Sequence, residues 1–161
     1  MAKISKIDDV IARKEALVSN LIEHLDWKYG YENVLRVGFT LVENFRDDRI
    51  LIALVRLIRT SPYDMLPAVV VHWCSLTDSF ELGNYLDLWV ELAIESDYHV
   101  LFNILHIING LRDYVDIEEE ELQLLQSRLE AYLPTSGDKK DLIQFLIAFI
   151  QENISYVQSL E

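Results

Sequence analysis

Four histidines (His24, His72, His99 and His106) and one cysteine, Cys74, are the side chains of this sequence suited to holding a metal or running nucleophilic chemistry. Their spacing argues against both. A metal site on one helix needs ligands three or four residues apart, because only that spacing places them on one face. His99 and His106 are seven apart, two turns, which is too far for one ion. His72 and Cys74 are two apart and point to different faces. Glu95 and His99 have the right spacing, but Ser96-Asp97 is expected to interrupt a helix between them. Cys74 follows Trp73 in an apolar run and reads as a small buried hydrophobe. There is no Gly-x-Ser-x-Gly elbow, no glycine-rich phosphate loop and no Cys-x-x-Cys. Carboxylates are so abundant that their pairing identifies no acid/base couple. The expectation is a protein that is not an enzyme, with no catalytic residue, no metal and no cofactor.

The carboxylates carry a different signal. Between Thr60 and Ser127 there are 13 acids and a single base, Arg112. Residues 1–59 hold 10 bases against 9 acids, so nearly all of the net charge of −13 sits in the middle of the chain. A fold built this way has one strongly negative side, which attracts cationic partners and repels nucleic acid and anionic membrane. Glu118 to Glu121 fall where the first turn of a helix is expected, and the macrodipole favours anions there. Asp87, Glu91 and Glu95 are different. They recur every four residues with no Lys or Arg in their helix, at a repulsive cost of roughly 0.2–0.5 kcal/mol per pair. Leu82, Leu86, Trp89 and Ala93 can face the core opposite them, so the acidic stripe is expected to be exposed.

Composition bounds the elements that must position these groups. At 161 residues with 51% apolar residues, the chain is expected to form one domain, 1–161, with a real core. Five Gly and three Pro leave few loops. One cysteine forbids an internal disulfide framework and fits a reducing compartment. No signal peptide and no 18-residue uncharged apolar run are present, so the expected location is cytoplasmic, without a membrane partner.

The apolar period is helical nearly everywhere, which predicts an all-α protein of eight helices. The first runs from about Lys6 to Leu25, capped by Ser5 or Asp8, with Ile7, Val10, Ile11, Ala16 or Leu17, Leu21 and Ile22 as its apolar stripe. Trp27 to Tyr31 is an aromatic break. The second helix, from about Glu32 to Phe45, turns Leu35, Gly38 or Phe39, and Val42 inward. The third, about Asp48 to Arg59, buries Leu51, Leu54, Val55 and Ile58 and shows Arg49, Arg56 and Arg59 to water. Ser61-Pro62 ends it. The fourth, Met65 to Leu76, is almost wholly apolar, with Pro67 in its first turn. Asp78 and Glu81 have capping-box spacing ahead of the fifth, Phe80 to Ile94. The sixth spans Tyr98 to about Arg112. Asp116 caps the seventh, which runs to about Tyr132. The eighth follows Pro134 to Gly137 and spans Asp138 to about Gln158.

These helices pair antiparallel at the spacing of a helical repeat. Val34 to Asp47 and Val100 to Asp113 are both apolar helices ending in Arg-Asp, and Leu66 to Asp78 has the same character. The pattern resembles HEAT-like repeats, three to four of them stacked as a short α-solenoid; an irregular helical bundle is the alternative. The segment Gly38-Phe39-Thr40-Leu41-Val42-Glu43-Asn44-Phe45, with the following helix and the Ser61-Pro62 break, is similar to the repeats of some bacterial immunity proteins of contact-dependent inhibition and polymorphic toxin systems. The likeness covers roughly Asn33 to Trp73, with a weaker echo from Val100 to Leu133. It implies a protein that binds one cognate toxin and blocks it. Many such toxins are basic nucleases, because they hold a phosphate backbone. The resemblance supplies no site residues. Charge and expected exposure select Asp87, Glu91, Glu95 and Asp97, with Asp113, Asp116, Glu118 and Glu119, as the partner-binding surface. Helix five and the turns after helices five and six are expected on one side of the stack. Two other readings are a helical-repeat scaffold binding a basic intracellular protein or peptide, and a structural subunit buried in an oligomer.

Overall fold

A helical apolar period, punctuated by capping residues, dictates where each element starts. In the computed structural model, which describes residues 2–62, 68–77, 79–111 and 117–160, the protein is all-helical, with no strand among those residues. The helices are α1 (Ala2–His24), α2 (Tyr31–Asn44), α3 (Asp48–Arg59), α4 (Ala68–Leu76), α5 (Leu86–Glu95), α6 (Tyr98–Gly110), α7 (Glu119–Tyr132) and α8 (Asp138–Gln158). Two 3₁₀ segments, Trp27–Tyr29 and Phe80–Tyr85, precede α2 and α5.

The chain reverses between α1 and α2 through chemistry local to the break. The Asp26 carboxylate accepts from the Lys28 amide at 2.9 Å, and Gly30 adopts φ +89°, a conformation that side chains disfavour. The Trp27 indole donates to the Leu57 carbonyl at 2.8 Å and pins this turn to the end of α3. Asp47 caps α3, accepting from the Arg49 amide at 3.0 Å. The Arg49 guanidinium bonded to it holds the Asp47 carboxyl below its ordinary value. This cap therefore survives mild acid and is lost as pH falls through that depressed pKa.

Helix five does not begin at Phe80. Ser79 accepts from the Glu81 amide at 3.2 Å while donating to Asp48 Oδ1 at 2.9 Å, which fixes the entry. Gly83 and Asn84 are poor helix formers, and the Leu86 amide bonds back to the Gly83 carbonyl rather than to that of Leu82. The Leu82 carbonyl, inside this 3₁₀ segment, also accepts the Trp89 indole at 2.9 Å. Asp78 of the expected capping box, Met65 to Pro67 of the fourth helix, the Arg112 end of the sixth and the Asp116 cap of the seventh lie outside the described residues. Glu118 is the N-cap residue of α7 and makes no side-chain cap bond.

The buried apolar side chains form a cluster that draws on all eight helices, with Trp89 the largest that is fully buried. Consecutive helices pack as α1–α2, α3–α4, α5–α6 and α7–α8. Across these pairs α2, α4, α6 and α8 pack in succession, as do α1, α3, the second 3₁₀ segment, α5 and α7. The expected inward faces of α3 and α5 are buried. Two others differ. On α2 the buried line is Val34, Val37, Gly38, Leu41 and Val42, while Leu35 is half-buried and Phe39 is 58% exposed. The Trp73 ring lies flat enough on Gly38 that a Cβ there would come within 2.3 Å of it, so the glycine takes the inward place. On α1, Ser5 and Asp8 lie inside the helix rather than at its start, and Ile7, Val10, Ile11 and Leu17 face outward. Nothing in the described chain reaches as far as the first half of that stripe; Val18 and Leu25 are the buried residues of α1 and its end.

Candidate partner-binding surface

The stripe on α5 exists because the opposite face is committed. Leu86, Leu88, Trp89, Val90 and Ala93 are buried, and a helix that buries them must turn Asp87, Glu91 and Glu95 to water. All three are exposed. The ion pairs within 4 Å among the described residues are Lys28–Asp26 at 3.7 Å and Arg49–Asp47 at 2.6 Å, both far from α5 in sequence. The stripe thus repels itself along the helix without a described partner.

Its C-terminal end is supported by a residue that sequence spacing hides. Lys139, in the first turn of α8, donates to the carbonyls of Ile94 at 3.0 Å and Ser96 at 2.8 Å, with its Nζ 4.9 Å from the Tyr132 ring centroid. These carbonyls belong to the end of α5, where a cation offsets the helix dipole and satisfies open acceptors. Read locally, Lys139 is a cation at the wrong end of its own helix. Only the approach of α8 to α5, more than forty residues away in the chain, reveals its role. Lys139→Met keeps the stem and removes the charge. We expect it to lower stability by about 1–3 kcal/mol, the scale of hydrogen bonds from a charged donor, checked by urea unfolding against the parent.

Asp97 is exposed and caps α6, accepting from the Val100 amide at 3.1 Å. It lies two residues beyond Glu95, so the structure brings Glu95 and Asp97 together at one end of α5. Glu118 and Glu119 lie elsewhere. The contact of Lys139 with Tyr132 sets the C-terminal end of α7 beside the C-terminal end of α5. Glu119 is at the other end of α7, ~20 Å away at 1.5 Å per residue. There Glu119 Oε1 accepts from Gln123 and Gln158, each at 2.7 Å. The Ser96-Asp97 turn and the start of α7 are therefore at opposite ends of the helices, not on one side as expected. The predicted length of the sixth helix already implies this, because two turns flanking one helix are separated by its length. Since α5 packs on α7 with their C-terminal ends together, the Glu118-Glu119 pair lies towards the Asp87 end of α5. Asp113 and Asp116 lie outside the described residues.

Among the described residues no group of three or more His, Cys, Asp or Glu is placed to hold a metal ion. Cys74 is buried and donates to the Val70 carbonyl at 3.5 Å; burial pushes its thiol far above the ordinary value. His72, on the same helix, is exposed. Tyr98, Phe102 and His106 line one exposed face of α6, with Tyr98 stacked on Phe102 at 6.4 Å and His106 edge-on to Phe102 at 5.1 Å. No helix of the described residues is long and apolar enough to cross a membrane. No family model, curated protein or solved structure matches the chain.

Proposed function

We propose that this chain is an immunity protein, which binds a cognate bacterial toxin domain, a basic nuclease, inside the producing cell and neutralises it through an acidic surface. The observation that carries this reading is the stripe Asp87-Glu91-Glu95, exposed and without a described counter-ion, in a chain whose charge is concentrated in one segment. A nuclease must present Lys and Arg to a phosphate backbone. Carboxylates fixed on a packed helix meet that surface with opposite charge, which speeds encounter and excludes the nucleic acid competing for it. Glu95 and Asp97 lie at the end of α5 that Lys139 braces, with Asp97 held as the cap of α6.

The pairwise packing of consecutive helices, with odd and even helices each in succession, supports a short HEAT-like α-solenoid as the architecture. In such a stack α5 and α7 belong to one row, so the surface spans neighbouring repeats. The test is to isolate what copurifies with the protein from its own cell. A basic partner with toxic nuclease activity, abolished at one equivalent of this protein, is the expected result. A non-toxic partner would replace the proposal with an adaptor bound to a basic protein.

A further inference from the structure

The first half of α1 is an amphipathic helix whose apolar stripe the described residues leave largely uncovered. Ile7, Val10 and Ile11 are 62%, 66% and 51% exposed, whereas Val18 and Leu25 are buried in the core. The register between α1 and α3 explains the difference. Arg49 donates to Ser19 Oγ at 3.1 Å and Arg56 to the Ile22 carbonyl at 3.3 Å. Ser19 thus lies level with the first turn of α3, and the residues before it run on past α3 for ~25 Å. Between the two helices is a groove of about 300 Å³ lined by Ser19, Ile22, Arg49, Ile52, Ala53 and Arg56. Its floor is apolar, with Ile52 50% exposed, and two guanidinium groups rim it.

The overhang matches the groove in chemistry. It carries Ile7, Val10 and Ile11 for an apolar floor and Asp8, exposed on the flank of that stripe, for a cationic rim. Within one chain the two cannot meet, because they lie at different heights on the same straight helix. We propose that two copies of the chain pair through α1, antiparallel about a two-fold axis, so that the overhang of each fills the groove of the other. An antiparallel two-fold pair has a fixed sum of opposing residue numbers. Setting Ile7 against Ile22 of the second copy places Lys14 against its Glu15, and Glu15 against its Lys14. Asp8 then falls at the height between Ser19 and Ile22, on the flank towards Arg49 and Arg56. The remaining charges near this seam are Lys6, Arg13 and Glu23 on α1, with Lys6 opposing Glu23 of the second copy, and Asp47 and Asp48 at the start of α3, Asp47 already bonded to Arg49. A strip about 35 Å long on one helix is at the small end of specific interfaces, so the pairing is expected at micromolar concentration.

This inference stands apart from the partner on α5, and its failure leaves that reading untouched. The test is sedimentation equilibrium of the full chain from about 1 to about 200 μM, a range that brackets micromolar dissociation constants. The parent is expected to go from monomer to dimer. Ile7→Asp with Ile11→Asp should abolish the dimer without changing the monomer's unfolding midpoint, since both side chains are exposed in one chain. Lys14→Glu alone and Glu15→Lys alone should each weaken pairing at least several-fold, and the two together should restore it. A parent that stays monomeric throughout overturns the proposal. So does a dimer that persists in the double Asp variant, or a charge exchange that fails to restore pairing.

Discussion

Trp89→Ala is expected to cost about 3–5 kcal/mol of folding stability, on the scale of large aromatic truncations in a core. Trp89 is fully buried and joins the inward face of α5 to the 3₁₀ segment before it, through the bond from its indole to the Leu82 carbonyl. The substitution leaves a cavity and removes the indole's bond to that carbonyl. Against a total stability of about 5–15 kcal/mol, the loss is a large share. Trp89→Phe fills most of the space and loses the bond, so it should cost less than the alanine variant yet remain measurable. Urea unfolding of the two variants checks this. A cost below about 1 kcal/mol for alanine would be inconsistent with this burial.

Gly38→Ala is expected to destabilise by about 1–3 kcal/mol although helix propensity alone favours alanine by about 1 kcal/mol. The contact decides the sign. A Cβ on Gly38 would stand 2.3, 2.6 and 2.8 Å from three carbons of the Trp73 ring, and Trp73 is only 4% exposed on α4, with little freedom to withdraw. If that ring is the obstacle, Trp73→Leu should cancel the penalty, and Gly38→Ala made in that background should be neutral or stabilising. A double-mutant cycle measures the coupling. Additivity of the two substitutions, or a gain from Gly38→Ala in the parent, would show that the ring does not oppose a side chain there.

Much of the fold is legible where capping residues and breaks coincide with the apolar period. Asp47-Asp48 and Thr60 bound α3, and Pro134 to Gly137 sets the start of α8, so the ends of both are readable from sequence. The inward face of α5 is readable too, because Trp89 and its neighbours at helical spacing leave one choice. Periodicity fails at α1, since it reports that a face is apolar and not whether anything covers it. At α2 it leaves Gly38 and Phe39 as alternatives, and the Trp73 ring, which needs the smaller residue inside, decides for Gly38. The 3₁₀ start before α5 is entered through the Ser79 bond to Asp48, a contact with α3 that the apolar period does not report. Of the site, the exposure of Asp87, Glu91 and Glu95 follows from local pattern. The separation of Glu118 and Glu119 from Asp97 follows from the length of α6 between them, whereas the bracing by Lys139 depends on how α8 lies against α5, which no local spacing encodes.

The acidic stripe is tested most directly by stopped-flow association of the copurified partner with the parent and with a variant carrying Asp87→Asn, Glu91→Gln and Glu95→Gln, over a salt series. Steering by exposed charge acts mainly on the association rate and is screened over about 8 Å at physiological ionic strength. Removing the three charges should slow association several-fold at low salt, with the two proteins converging as salt rises. Folding stability should stay equal or improve slightly, because the repulsion within α5 is gone. A loss of affinity beyond the rate effect would identify carboxylates paired directly with Lys or Arg of the partner, where truncation leaves a charge stranded. If the variant matches the parent in both association rate and affinity at low salt, the stripe on α5 is a solvated face and the partner binds elsewhere.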